Sequence, residues 1–194
     1  FISSYIGSIP PSMLNITAVK ISIEKNRKTA KRFAFGVSFI VIFQVFFALF
    51  FLKAIFKNPV ILESIQSASI LIFAVLSFFF FRKAIQEQNE IVPKQTNRDG
   101  FLIGIGLSSI NMFAIPFFCG IGAVLNNYGW LELDLTHIFF FVAGSTLGTY
   151  FILYSYILFA GKIKSKITRF SKYLNFVLGG VTGIIAIISL IKLL

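Results

Sequence analysis

Residues 33–56 read FAFGVSFIVIFQVFFALFFLKAIF, and Lys53 is the one charged side chain in this stretch. A helix rises 1.5 Å per residue, so the stretch is long enough to cross the ~30 Å hydrocarbon core of a bilayer. Five further apolar segments occur, at about 1–21, 61–81, 100–125, 135–161 and 170–194. The sequence therefore predicts an all-α integral membrane protein with six transmembrane helices, called spans one to six here.

The composition supports this fold class. Of the 194 residues, 57% are hydrophobic and 13% are charged, and the mean hydropathy is +0.87. A soluble domain carries about 25% charged residues, twice as many as this chain. These values exclude a soluble enzyme and a disordered chain. Cys119 is the only cysteine, which excludes a disulfide scaffold.

The positions of the basic residues predict the orientation. Fifteen of the 18 Lys and Arg residues lie between spans one and two, three and four, and five and six. The cytoplasmic loops of membrane proteins are enriched in basic residues, so we expect both termini on the non-cytoplasmic side. The same pattern speaks against a nucleic-acid partner, because these cations do not lie on a folded soluble module.

The chain also shows an internal repeat. Pro10 and Pro11 interrupt span one, and residues 108–116 with Pro116 interrupt span four. A shift of 108 residues places Gly36 of span two on Gly144 of span five. Each half has three spans, an odd number, so the halves enter the membrane from opposite sides, as in many secondary transporters. The predicted repeats are residues 1–99, which include a cytoplasmic linker, and residues 100–194, within a single membrane domain.

Both breaks are expected near the middle of the bilayer, about 15 Å from the membrane surface at the helical rise. A proline lacks the amide hydrogen that a helix needs and displaces the carbonyl four residues earlier. Unpaired backbone groups at this depth are tolerated only where they line a cavity or are covered by protein. The two breaks therefore predict a binding site for a polar solute.

These residues carry a resemblance to a known family. The stretch Ser8–Asn15, which reads SIPPSMLN, resembles the first-span motif of the lysine-exporter (LysE/RhtB) family, usually Pro-Gly-Pro before a small residue. Gly36, the basic loop before it, and Asn111 near a proline match the family in order and spacing. The resemblance covers the whole chain. It implies a multi-pass exporter of amino acids or related small metabolites in the bacterial inner membrane, driven by an ion gradient.

The chain departs from the family pattern at three places. Pro10 and Pro11 are adjacent, without the central glycine. Asn111 is followed by Met112 instead of proline. Val41 stands where the family often has an acidic residue, with Gln44 the nearest polar group. These departures leave the substrate and the coupling ion open.

Polar and proline residues inside the spans are the candidate translocation residues, because unpaired polar groups are expensive there. They are Ser8, Pro10, Pro11, Ser12, Asn15, Gln44, Ser108, Ser109, Asn111, Pro116, Thr149 and Tyr150. The alternative is that Ser and Thr bond their own helix and assist helix packing. The amides are harder to assign to packing, since each has four hydrogen-bonding sites to satisfy. His137 has no second histidine and no acidic residue near it in the spans, so we predict no metal site and no cofactor.

Three functions compete at this point. A secondary transporter working by alternating access fits the broken helices, with a small zwitterion favoured because no buried charge is expected that could neutralise a cationic side chain. An intramembrane enzyme would need a nucleophile with a base, or a metal, at depth, and we predict none. A non-transporting accessory or assembly protein is the third function. The glycine pairs Gly144/Gly148 and Gly179/Gly183 suit close packing either within one chain or between two copies in a homodimer.

Overall fold

The computed structural model describes residues 1–7, 9, 12–58, 74–75, 77–78, 80–82, 85, 99–111 and 113–193. Every regular element in these ranges is helical, which confirms the all-α prediction. In chain order the helices are α1 (Ile2–Gly7), α2 (Met13–Glu24), α3 (Arg27–Lys57), α4 (Gly100–Ser109), α5 (Ala114–Asn127), α6 (Leu135–Leu158) and α7 (Ala160–Leu193).

Two of these helices, α3 and α6, are long and apolar enough to cross a membrane. The pair α4 and α5 makes a third span if it is taken as one broken helix, bent by 68° at its break. The described residues thus establish a helical protein with two or three clear apolar spans. Most of the third predicted span, 61–81, lies outside the described residues, and six spans remain a prediction.

The basic segments are more helical than the sequence analysis expected. Helix α3 begins at Arg27, and α7 begins at Ala160, directly after Phe159, so both helices include residues predicted to lie in loops. Lys and Arg are good helix formers, and their long side chains can keep the charge in water while the stem lies on apolar surface. A helix can therefore continue through a basic segment beyond the edge of the apolar run.

The chain forms two compact units. The first contains Phe1–Ala54 and Val92–Ser165, and the second contains Ile55–Ile91 and Lys166–Leu194. Each unit takes residues from both predicted repeats, so compactness does not separate residues 1–99 from residues 100–194. The candidate site lies in the first unit.

Helix α2 lies at the centre of the first unit and contacts α4 and α6. Its residues 14–19 are all buried, including the polar Asn15 and Thr17.

Helix α3 instead has two distinct faces. Its buried face includes Phe33, Val37, Val41, Val45, Ala48 and Leu49. Its exposed face includes Phe35, Phe39, Phe43, Phe46, Phe47 and Phe50. An apolar stripe this long is suited to contact with lipid.

Glycines let α3 and α4 approach to backbone contact. A methyl group on Gly36 would lie 2.2 Å from the Phe101 carbonyl oxygen and 3.2 Å from the Ile105 nitrogen. A methyl group on Gly104 would lie 2.3 Å from the Phe33 carbonyl oxygen. Only glycine fits at either position, so small residues fix the distance between these two helices.

The same contact occurs between α6 and α1. A methyl group on Gly148 would lie 2.7 Å from the Phe1 carbonyl oxygen and 3.1 Å from the Tyr5 nitrogen. In both places a glycine of a long helix faces a carbonyl and the amide nitrogen four residues later. By these contacts, Gly148 is the residue equivalent to Gly36 in the second repeat. The 108-residue shift of the sequence analysis had matched Gly36 with Gly144, one helical turn earlier.

The glycine pairs of the sequence analysis are used within the chain. Gly144 packs against the Phe1 nitrogen, as Gly148 packs against the Phe1 carbonyl. In the second unit, Gly179 packs against the Phe81 ring. The glycine spacing therefore reflects packing within one chain and gives no support for a homodimer.

Candidate functional site

The first part of the site is the break between α4 and α5. Helix α4 ends at Ser109, and the Asn111 nitrogen donates to the Ser108 carbonyl oxygen at 3.0 Å. Helix α5 begins at Ala114 and has no side-chain cap. Pro116 lies in the first turn of α5, where a missing amide hydrogen costs little. Pro116 therefore fits within the first turn of the second half-helix, and the break lies between Ser109 and Ala114.

Gln44 of α3 reaches this break from the neighbouring helix. Its Nε2 donates to the Ser108 carbonyl oxygen at 2.9 Å and to the Asn111 carbonyl oxygen at 3.5 Å. A carbonyl oxygen can only accept, so these two contacts require the amide nitrogen and fix the orientation of the Gln44 amide. Its Oε1 is buried and has no partner among the described residues. A buried acceptor without a partner costs about 1–3 kcal/mol.

The other predicted residues of span four have different surroundings. Ser108 is fully buried and its hydroxyl donates to the Val37 carbonyl oxygen at 3.4 Å, a contact between α4 and α3. Ser109 and Pro116 are exposed, and Asn111 is partly buried. The structure thus brings Gln44, Ser108 and Asn111 together and leaves the Ser109 and Pro116 side chains on the surface.

The second part of the site is the break between α1 and α2. Ser8, Pro10 and Pro11 lie outside the described residues. Ser12 is the N-cap of α2, and its hydroxyl accepts from the Asn15 nitrogen at 3.5 Å. Asn15 is only 2% exposed. Its side chain hydrogen-bonds the phenol of Tyr156 on α6, and that phenol donates to the Ile9 carbonyl oxygen.

Thr149 and Tyr150 lie at neither break. The Thr149 hydroxyl is 3.0 Å from the Ser4 hydroxyl, which also donates to the Ser145 carbonyl oxygen at 2.9 Å. This group of buried hydroxyls joins α1 to α6. Tyr150 stacks on the ring of Tyr154, with 6.3 Å between centroids. The Thr149 contact therefore joins two helices, whereas the Tyr150 contact lies within α6.

The sequence analysis missed Tyr156 and Ser4. Tyrosines near the ends of spans are common as interfacial residues, so Tyr156 carried no signal of a bond to a distant backbone. Ser4 precedes the proline motif by one turn and resembled an ordinary small packing residue. Both residues could be identified only by knowing which helix lies beside each break, and the sequence does not provide that information.

Three residues at the start of α6 and just before it form a mixed cluster. The ligand atoms of Glu132, Asp134 and His137 lie within 4.8 Å of one another, and all three residues are exposed. The prediction of no metal site at His137 counted only acidic residues within the spans, whereas Glu132 and Asp134 precede span five. Asp134 caps α6 by accepting from the His137 nitrogen at 3.2 Å, and the imidazole bonds the same carboxylate. Partial desolvation raises the pKa of Asp134, but the hydrogen bonds from His137 outweigh it and hold that pKa below its usual range. Helix capping accounts for this arrangement.

The LysE type translocator family matches the chain over residues 5–192. No curated protein and no solved structure matches it. The match covers nearly the whole chain and confirms the resemblance that the SIPPSMLN stretch had indicated. The chain therefore belongs to the LysE type translocator family, whose members are membrane transporters of amino acids or related compounds.

Proposed function

We propose that this protein is a secondary transporter that exports amino acids or related small polar metabolites across the bacterial inner membrane by alternating access. The Gln44 amide carries the proposal. It is 8% exposed, bonds the two carbonyls at the α4–α5 break, and keeps one buried acceptor without a partner among the described residues. Broken helices that carry such groups at depth are typical of solute sites in secondary transporters.

The surroundings of this site favour a zwitterion. Among the described residues, the buried polar side chains are hydroxyls and amides, and none is ionised. A substrate ammonium would donate to Gln44 Oε1, and a carboxylate would be favoured at the uncapped N-terminus of α5. A cationic side chain would find no carboxylate to neutralise it. We therefore expect neutral amino acids to be preferred over lysine or arginine.

The transport cycle that we propose uses two inverted repeats of three spans, residues 1–99 and 100–194, with both termini non-cytoplasmic. The repeated glycine contact supports the repeat, since Gly36 faces residues 101 and 105 as Gly148 faces residues 1 and 5. The concentration of basic residues in alternate gaps supports the orientation. Both breaks would line one central cavity, which opens to each side in turn.

Flux in proteoliposomes tests the proposal. The purified protein is reconstituted, the vesicles are loaded with labelled neutral, cationic or anionic L-amino acids, and efflux is followed with and without an imposed ion gradient. We expect saturable efflux of neutral amino acids, with cationic ones slower. Phe47→Leu, a change on the exposed face of α3, should leave the flux unchanged. Absence of flux for the whole panel would favour the accessory-protein alternative.

A further inference from the structure

Two side chains on the long helices each bind a main-chain carbonyl at a helix break. Gln44 on α3 donates to the Ser108 and Asn111 carbonyl oxygens at the α4–α5 break. Tyr156 on α6 donates to the carbonyl oxygen of Ile9, which lies between α1 and α2. We refer to Gln44 and Tyr156 as the anchoring residues.

The anchoring residues occupy matching positions. Gln44 lies eight residues after Gly36, and Tyr156 lies eight residues after Gly148. These are the two glycines that make the repeated backbone contact, Gly36 with Phe101 and Gly148 with Phe1. Measured from those contact residues, the bound carbonyl of Ser108 comes seven positions later and that of Ile9 eight positions later. The two hydrogen bonds are thus the same interaction made twice, with different side chains.

The chemistry of each pair explains how a side-chain donor binds there. A carbonyl oxygen has two lone pairs, and at the α4–α5 break the Ser108 and Asn111 carbonyl oxygens each accept one main-chain N–H, from Asn111 and Ala114, which leaves a second acceptor position for Gln44. An amide and a phenol both supply an N–H or O–H that reaches across from a neighbouring helix. Breaking either bond would remove one side-chain link between a break and the long helix beside it, while the other break would keep its anchor.

We propose that Gln44 and Tyr156 are a matched pair of positioning residues, each holding one broken helix, and that together they set the side to which the central site opens. This inference rests on the proposed alternating access. In an inverted repeat, equivalent residues act on opposite sides of the membrane. Loss of the Gln44 anchor and loss of the Tyr156 anchor should therefore bias the protein toward opposite orientations.

Cysteine labelling without substrate tests this inference. In a Cys119→Ser background, Ile9→Cys or Ile110→Cys provides an exposed reporter beside one break. An impermeant maleimide is applied to the outer or inner face of oriented vesicles, and the ratio of the two labelling rates is measured. The variants are Gln44→Met and Tyr156→Phe, which remove the donors and largely keep side-chain size. The controls are Ser38→Ala, whose buried hydroxyl has no partner among the described residues, and Tyr128→Phe, an exposed phenol.

We expect the two variants to shift the labelling ratio in opposite directions, by about threefold and at most about twentyfold, which is the range for one side-chain hydrogen bond in a membrane. The controls should leave the ratio unchanged. Shifts in the same direction, or no shift in either variant of a protein that still shows a normal thermal transition, would overturn the proposal. If Gln44→Met does not insert, Gln44→Asn replaces it, because its amide is one methylene too short to reach the carbonyls.

The labelling result and the transport result can be separated. Opposite shifts in a protein that moves no amino acid would support the anchoring pair and contradict the proposed function. Normal amino-acid flux in the wild type with no shift in either variant would support the function and contradict the anchoring pair.

Discussion

Asn111 lies in the turn between α4 and α5, with its main-chain carbonyl bound by Gln44 and its side chain partly buried. The main-chain contacts do not need the side-chain amide, so the backbone at the break should survive its removal. A change to the Asn111 side chain is therefore expected to affect transport without affecting the fold.

Asn111→Ala should weaken transport strongly while the protein stays folded. Side-chain hydrogen bonds in membranes contribute only ~0.6 kcal/mol on average, so the thermal transition should change little. If the amide binds the solute in a dry site, its loss leaves a solute group unpaired, which costs about 1–3 kcal/mol or about five- to a hundredfold in affinity. Efflux kinetics and a melting curve in detergent check this pair of outcomes. Wild-type efflux kinetics in the variant would make Asn111 a structural residue.

Sequence reasoning at the residue scale identified the amides but could not describe their partners. Gln44 and Asn15 were both chosen because an amide is difficult to satisfy in a span, and both are buried and hydrogen-bonded across helices. Thr149 was chosen as a polar residue inside a span, with helix packing as the alternative, and its hydroxyl contacts Ser4. The sequence distinguishes polar side chains from apolar ones, whereas the hydrogen-bond partner of a polar side chain depends on which helix lies opposite it.

At the scale of elements, the apolar runs predicted the long helices and the prolines predicted two breaks. Helices α1 and α2 are separated at residues 8–12, and α4 and α5 at 110–113. Pro116 was expected to interrupt span four, but it lies in the first turn of α5, two residues after the helix begins at Ala114. A proline is tolerated in the first turn because the amide hydrogen that it lacks would have no partner within the helix.

Two glycines of α4 offer a matched test of helix packing. Gly104→Ala would place a methyl group 2.3 Å from the Phe33 carbonyl oxygen, so α4 must move away from α3. Gly106, two residues later, has no atom within 4 Å of that position. We expect Gly104→Ala to destabilise the protein by about 1–3 kcal/mol, as overpacking does. Gly106→Ala should be neutral or slightly stabilising, since alanine is the better helix former.

Thermal melting in detergent and the yield of membrane-inserted protein measure this difference. Equal melting temperatures for the two variants would show that the α3–α4 contact is looser than the structure indicates.

At the scale of the whole molecule, the orientation in the membrane is the prediction with the widest consequences. A cysteine at Asn127, at the end of α5, and one at Lys166, in α7, should label from opposite sides of the membrane in a Cys119→Ser background. Asn127 begins a segment without basic residues, and Lys166 belongs to a basic cluster, so we expect Asn127 outside and Lys166 inside. Impermeant maleimide applied to intact cells and to inverted vesicles measures this. Labelling of both positions from the outside would exclude the proposed topology and the inverted repeat with it.

The sequence by itself determined that the chain is a helical membrane protein, and the LysE-like motif in span one indicated its family. Both conclusions depend on local properties. The length of an apolar run sets whether a helix can cross the hydrocarbon core. A short motif can be recognised from its own residues, without knowledge of what they contact in the fold.

Only the tertiary structure decided which polar groups meet. Gln44 bonds a carbonyl 64 residues away, and Tyr156 bonds one 147 residues away. Lipid is as apolar as leucine, so hydrophobicity does not select which helices pair or how each is rotated. Close packing at small residues makes that choice, as Gly36 does against Phe101 and Gly148 does against Phe1. The two anchoring residues became visible once those contacts had fixed the helix pairs.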